Sequence, residues 1–422
     1  MSKVFKLVYE NWENNETLPN GYNNSVALHN SYFIKPYEII DLLSKNYYEI
    51  KNLNLENVDD NCFYFICHYN KIREMVNINK WILSSNVENL IKTKNLKIVF
   101  LNLHESFDDI EIDIVELQDK IKERNLPEQN FYILNNNSYL DEIKIKLNTK
   151  INVYTTKWLI EYVNFTNLKD LNFTTDKKFI FLLHNRVPKP HRISLLILLK
   201  KFNILNEHVI DWSLLYPQMP FFTPFYNIRR STDNPYKIFG DKTYFVDIHD
   251  RENRAIFRNL ITTPKLSYYE HEKNWFSDME KHDSSNWNEH KSFEESYINI
   301  VTESHYSIKD VHMTEKTFRP FYCFQIPIFL ASYNHVKKLK EQYPTLDLFE
   351  DLINHNYDDE QNDNKRLEMV ALEIKRLYEM KEEIISFYKE NKTRFLTNKK
   401  YIEEFSNNKA TLNYFESLLN KN

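Results

Sequence analysis

This sequence predicts an α/β protein: two successive Rossmann-like domains, each built on a parallel sheet and facing a common cleft, with helices at the carboxyl terminus. Three observations carry the prediction. Short apolar, β-branched runs alternate with amphipathic runs of helical period through two separate stretches, which is the pattern of βαβ units. Between them, over residues 164–178 (N-F-T-N-L-K-D-L-N-F-T-T-D-K-K), the periodicity lapses. The chain has 422 residues, more than one ordinary core serves. The expected domains are 1–170, 171–390 and a helical segment, 391–422, able to cross back to the first.

In the first domain Val4–Tyr9 reads as a strand, and an Asn-rich segment and a helix-like run, Tyr37–Ser44, follow. Alternation then becomes regular: strand Cys62–His68, helix Asn79–Thr93, strand Leu96–Leu103, helix Asp113–Arg124, strand Phe131–Leu134, helix Tyr139–Leu147 and strand Val153–Thr155. The second series runs strand Phe179–His184, helix His191–Phe202, strand His208–Trp212. Trp212–Glu294 is long, aromatic and weakly periodic, and its charged part Tyr268–Lys291 suits an exposed loop or lid. Strand Tyr297–Thr302 follows, then a helix capped by Thr314, in which Pro320 should shorten or kink the backbone. Strand Ile326–Leu330, helix Asn334–Gln342, a long charged helix Asp363–Glu390 and a last helix Lys399–Leu419 complete the chain. Two α/β domains about a cleft with a returning terminal helix describe the architecture called GT-B, an analogy of fold alone.

Composition removes several function classes. The only glycines are Gly21 and Gly240, so a Walker loop and a G-x-G-x-x-G turn are both absent. A bound nucleotide would have to be held by side chains and helix ends. A net charge of −5 speaks against a dedicated nucleic-acid binder and leaves nucleic acid a partner not favoured. Cys62, Cys67 and Cys323 form no C-x-x-C pair and read as small buried hydrophobes. No apolar run approaches the ~18 residues of a membrane span, and M-S-K-V-F-K-L-V-Y-E lacks a signal core. The expectation is a soluble protein of the cytoplasm, the host's cytoplasm for a viral chain.

Three places could do chemistry. Asn102-Leu103-His104-Glu105-Ser106 follows a strand, where Glu105 or His104 could face a cleft as general base, with Glu10 a rival. In F-I-F-L-L-H-N-R-V-P-K-P-H-R, a strand ends at His184-Asn185-Arg186 and a helix begins near His191. Arg186, Lys189 and Arg192 thereby gather at one strand end, and guanidinium forks suit diphosphate oxygens. In the third place, Glu303-Ser304-His305 follows a strand, and Thr314-Glu315-Lys316 opens a helix. Glu303 could accept sugar hydroxyls, Glu315 those of a ribose, and Lys316 could neutralise a phosphate at a helix amino end. Equally, the three are an ordinary capped helix start.

Thr314-Glu315-Lys316 ahead of Pro327 resembles the T-E-K…(I/V)-P segment of α-1,3-fucosyltransferases and their viral and bacterial relatives. Val301-Thr302-Glu303-Ser304 stands where that family has F-E-N-S, and Phe179–Arg192 is similar to its F-V-V-S-N…R segment, with Asn185 and Arg192 on matching positions. The same pieces resemble a group of phage and giant-virus glycosyltransferases; the likeness covers Lys177–Leu330. It implies an inverting transfer of a sugar from a nucleoside diphosphate sugar, GDP-fucose among the donors, to the hydroxyl of a glycan or other acceptor. It also implies that Arg192 and Lys316 hold the diphosphate, that Glu315 binds the ribose and that Glu303 lies near the donor sugar. The family's base comes from the first domain, where Glu105 is the expected residue. Neither cofactor nor metal is expected: no Asp-x-Asp sequence occurs, Asp109-Ile-Glu111 being the nearest. Readings from other classes are a protein that binds or modifies nucleic acid, using Phe221–Arg230, or a non-catalytic protein that retains the fold.

Overall fold

The computed structural model describes residues 6–9, 49–52, 58, 62–67, 81, 83–102, 110–135, 137–155, 171–185, 189–214, 245–247, 250–262, 291–307 and 311–406. The chain divides into two compact units, one of Met1–Glu161 with Asn407–Asn422 and one of Tyr162–Ser406. Both are α/β, and every strand pairing described is parallel.

The first unit holds strands β1 (Lys6–Tyr9), β2 (Glu49–Asn52), β3 (Cys62–Cys67), β4 (Lys97–Asn102), β5 (Phe131–Asn135) and β6 (Asn152–Thr155). They lie in the order β2-β1-β3-β4-β5-β6. Helices α1 (Ser85–Lys94), α2 (Ile110–Glu123) and α3 (Leu140–Leu147) connect the later strands. On α2 the buried Ile110, Ile114, Leu117 and Ile121 make one stripe at helical spacing. They join Ile98, Phe100, Phe131 and Ile133 in one core. Each such side chain, fully buried, contributes about 1.5–3 kcal/mol. Strand β2 has no clear alternation in the sequence and was not expected. The run Tyr37–Ser44 lies outside the described residues.

The second unit holds β7 (Phe179–Asn185), β8 (Ile210–Leu214), β9 (Ser296–Thr302) and β10 (Ile326–Leu330), in the order β10-β9-β7-β8. Strands β9 and β10 are buried along their whole length, as parallel strands covered on both faces must be. Helix α4 (Pro190–Lys201) starts with proline at its first position, where the missing N–H costs nothing. It is apolar nearly all round, hence buried from His191 through Ile197. Helix α5 (Arg251–Thr262) and the single turn α6 (Lys291–Glu294) sit in the stretch that reads as weakly periodic. The lid expected over Tyr268–Lys291 lies outside the described residues apart from Lys291. Then come α7 (Glu315–Tyr322), α8 (His335–Gln342), α9 (Asp363–Glu379), α10 (Lys381–Glu390) and α11 (Lys392–Ser406).

Two expectations need correction. Asp363–Glu390 is not one helix: it breaks at Met380, although no proline or glycine stands there. The break lets Tyr388 pack edge-on against Tyr297, ring centroids 5.1 Å apart, and donate to the Phe324 carbonyl at 2.8 Å. The last helix starts earlier, at Lys392 rather than Lys399, and is described only as far as Ser406. Proline at position 320 is accommodated inside α7, which ends two residues later. With so few glycines, left-handed positions after helices fall to other residues: Asn95 ends α1 and Asn148 ends α3, at φ 54° and 47°, and Phe324 follows the cap of α7 at φ 55°.

Candidate functional site at the carboxyl edge of the second sheet

Strand order makes a crevice at one place in this sheet. From β7 the chain crosses to β8 on one side, while β9 and β10 lie on the other, so the topological switch point falls between β7 and β9. Ligands of open α/β sheets bind outside the carboxyl ends at such a point. Asn185 ends β7 and Thr302 ends β9, and the Thr302 hydroxyl donates to Asn185 Oδ1 at 2.6 Å.

The first turn of α4 braces this edge from behind. Arg192 Nη2 donates to the carbonyls of Thr302 at 2.9 Å and Glu303 at 3.3 Å. His191 Nε2 donates to the Glu303 carbonyl at 3.0 Å, and Lys189 Nζ to that of Ser304 at 2.6 Å. His191 also stacks on Tyr306, centroids 5.2 Å apart. Burial, and then the Arg192 charge, push the His191 pKa well below its ordinary value, so the ring is neutral at pH 7. Arg192, expected at a diphosphate, is only 3% exposed and has strand-end carbonyls for partners. Its charge supports the edge rather than lining it.

Helix α7 starts around a buried carboxylate. Glu303 is 1% exposed. Its Oε1 accepts from the Thr314 amide at 3.2 Å and the Thr317 hydroxyl at 2.5 Å. Its Oε2 accepts from the Thr314 hydroxyl at 2.7 Å and the Ser304 amide at 3.3 Å. Thr314 Oγ1 in turn accepts from the Lys316 amide at 3.1 Å, which makes Thr314 the N-cap. His335 Nε2 donates to Thr317 Oγ1 at 3.1 Å. Burial pushes the His335 pKa down to about 4 despite the nearby carboxylate, so this ring too is neutral at pH 7. Burial also works against ionisation of Glu303, but the Lys316 charge and the Thr317 hydroxyl outweigh it and hold the carboxyl below its usual range. An anion does occupy the amino end of α7, and it is the protein's own. Glu303 is thereby committed to the helix start, and the sugar hydroxyls expected at its oxygens meet acceptors already in use.

The outward side of the same turn is different. Lys316 Nζ lies 2.7 Å from Glu315 Oε1, and both side chains are about one-third exposed. Burial would raise the Glu315 carboxyl; Lys316 and then Arg319 hold it down at about 2, so it stays ionised. Arg319, one turn on, lies over the Phe293 ring, 5.3 Å from its centroid. This cluster, with cations outnumbering the carboxylate, can meet an anion.

Of the residues expected from the sequence, Asn185, Arg192, Glu303, Thr314, Glu315 and Lys316 meet at this edge through the contacts just given. Glu105 and Arg186 lie outside the described residues, as do His104, Glu10 and Phe221–Arg230. Sequence reasoning missed Thr317 and His335 as supports of Glu303, and it missed Arg319. Thr317 carries a faint signal, since it stands one turn inside a capped helix. His335 has none, because what matters is its position across the fold. Among the described residues, no group of three or more His, Cys, Asp and Glu is placed to hold a metal ion, and no helix is long and apolar enough to cross a membrane. No family model matches the chain, and neither a curated protein nor a solved structure matches it.

Proposed function

We propose that this chain transfers a sugar from a nucleoside diphosphate sugar to an acceptor hydroxyl, in a GT-B-like arrangement related to the α-1,3-fucosyltransferases. The observation that supports the reading most is the outward side of α7. Lys316 stands one-third exposed there, in the first turn of a helix that opens at the switch point of a parallel sheet. A leaving diphosphate gains charge as the glycosidic bond breaks, so a pre-placed cation favours the transition state over the ground state. Lys316 supplies that charge, Glu315 takes the ribose, and Glu105 of the first unit takes the acceptor proton. Arg192 and Glu303 act through the backbone and the helix start that they hold in place. A GDP-fucose-like donor follows from the T-E-K resemblance, and the loop between Glu303 and Thr314 is the element that would choose among sugars.

The test is thermal unfolding in the presence of GDP, UDP, ADP or CMP. A nucleotide that binds the folded chain raises the Tm by mass action. The expected result is stabilisation by a nucleoside diphosphate, weakened by more than about tenfold in apparent affinity in Lys316→Ala, since a charge-assisted contact is lost. Stabilisation by none of the four would overturn the reading and favour a non-catalytic protein. Salt-dependent retardation of DNA in a gel would favour the nucleic-acid reading.

A further inference from the structure

The loop that leaves β9 is fastened from two sides. From α4, His191 and Arg192 take the Glu303 carbonyl, and Lys189 takes that of Ser304. From α9, Arg366 reaches farther along the loop, where its Nη2 donates to the Tyr306 carbonyl at 2.8 Å. The same guanidinium donates through Nε to the Ala331 carbonyl, just past β10, at 3.1 Å, and through Nη1 to the Glu360 carbonyl, ahead of α9, at 2.8 Å. A further Nη2 bond goes to Asp363 Oδ1, so four of the five donors of the fork have partners. The guanidinium also lies 4.5 Å from the centroid of the Tyr306 ring, whose hydroxyl donates to the Asp363 carbonyl at 2.6 Å. Arg366 is only 2% exposed. Taking a charge out of water is costly, and an apolar residue of similar volume often serves stability as well. What an apolar residue cannot do is fix three carbonyls of separate segments at once.

We infer, building on the donor-site reading, that Arg366 is a positioning residue for sugar selection. It touches no ligand itself. It sets the path of the loop between Glu303 and Thr314, which in that reading chooses among sugars. Glu303 is tied to the start of α7 through Thr314 and Thr317, and Tyr306 is tied to α9 through Arg366. The course of the chain from Glu303 to Tyr306 is thereby fixed before any ligand arrives. Such fixing matters because a group misplaced by about 1 Å can cost on the order of 100-fold in rate. The nucleotide is placed differently. Lys316 and Glu315 present themselves from the first turn of α7, and that turn rests on the Thr314 cap and the Glu303 carboxylate, contacts other than those of Arg366. Loss of Arg366 therefore spoils the choice of sugar and spares the hold on the nucleotide.

The experiment is isothermal titration calorimetry of the full chain, as wild type, Arg366→Ala and Arg366→Lys. The ligands are GDP, GDP-fucose and GDP-mannose, and UDP, UDP-glucose and UDP-galactose, so that two sugars are compared on one nucleotide. Wild type should prefer one sugar of a pair. Arg366→Ala should bind the preferred sugar nucleotide about tenfold more weakly, lose most of the preference, and bind the free nucleotide as wild type does. Arg366→Lys should fall between, because a point charge cannot reproduce the fork. Unliganded melting temperatures control for folding; if the alanine form does not fold, the lysine form carries the test with a severalfold loss of preference. A variant that melts lower yet keeps the wild-type preference overturns the inference, since Arg366 is then structural alone, and leaves the donor reading standing. So does a wild type that binds both sugars of a pair equally, or a variant that loses the free nucleotide in step with the sugar nucleotide. Binding of no sugar nucleotide by wild type overturns both.

Discussion

The two sides of α7 carry the same kinds of residue and use them differently. On the inward side, a carboxylate has both oxygens filled by two hydroxyls and two amides, and is out of water. On the outward side, a carboxylate faces one lysine at 2.7 Å and is one-third exposed, and the Nε of an arginine close by has no hydrogen-bond partner among the described residues. A polar group that is saturated and buried holds structure together, because removing it leaves its partners unpaired. A charged cluster left unsaturated at the surface adds little stability and keeps its donors for a ligand. Glu303 and Glu315 both read as site carboxylates in the sequence, and their surroundings separate them.

The largest test of this contrast is Glu303→Ala. It strands the Thr314 and Ser304 amides and the Thr317 hydroxyl, and should lower the unfolding free energy in urea by about 3 kcal/mol. A variant as stable as wild type would mean that the inward clamp does not hold. Acid should probe the same clamp next. The His335 pKa is depressed to about 4 in the folded chain, below the ~6.5 of an unfolded histidine. The unfolded state therefore takes up a proton that the folded state refuses. The stability this neutral ring provides is complete above pH ~6.5 and is lost as the pH falls towards 4, by roughly 3 kcal/mol in all. His191, depressed likewise, adds to the same slope, and Glu303 extends it below the usual carboxylate range. Urea unfolding of His335→Gln between pH 7 and 4 should show a flatter dependence than wild type; an unchanged slope would remove His335 from the account.

Smaller effects sharpen the contrast. Thr314→Ala removes the cap of α7 and one of the hydroxyls on Glu303, and should cost about 1–2 kcal/mol. Lys316→Ala breaks an ion pair that is one-third exposed and removes a charge that helps keep Glu303 ionised; it should cost about 1 kcal/mol or less, below the cost of Thr314→Ala, even though nucleotide binding depends on that residue in the proposed function. If Lys316→Ala instead unfolds the chain more easily than Thr314→Ala does, the outward side is structural as well, and the division between the two faces fails.

Much of this molecule is decided within a few residues along the chain. Strand β10 spans Ile326–Leu330 in sequence pattern and structure alike, and α7 begins after the Thr314 cap, as its side chain requires. Period, capping and turn preference act over one or two helical turns, so the sequence alone determines them, and with them the α/β class. The order β10-β9-β7-β8 is another matter, since β9 passes over the nearer β8 to pair with β7. The switch point, and hence the crevice, depends on that choice. So does the partner of Arg192, which lies 110 positions away at Thr302. The role of Glu303 likewise rests in part on His335, which no local pattern ties to it. Such contacts are set by which apolar faces bury together and by how buried charges find partners once they do. That is a property of the packed chain, and only the tertiary structure decided it.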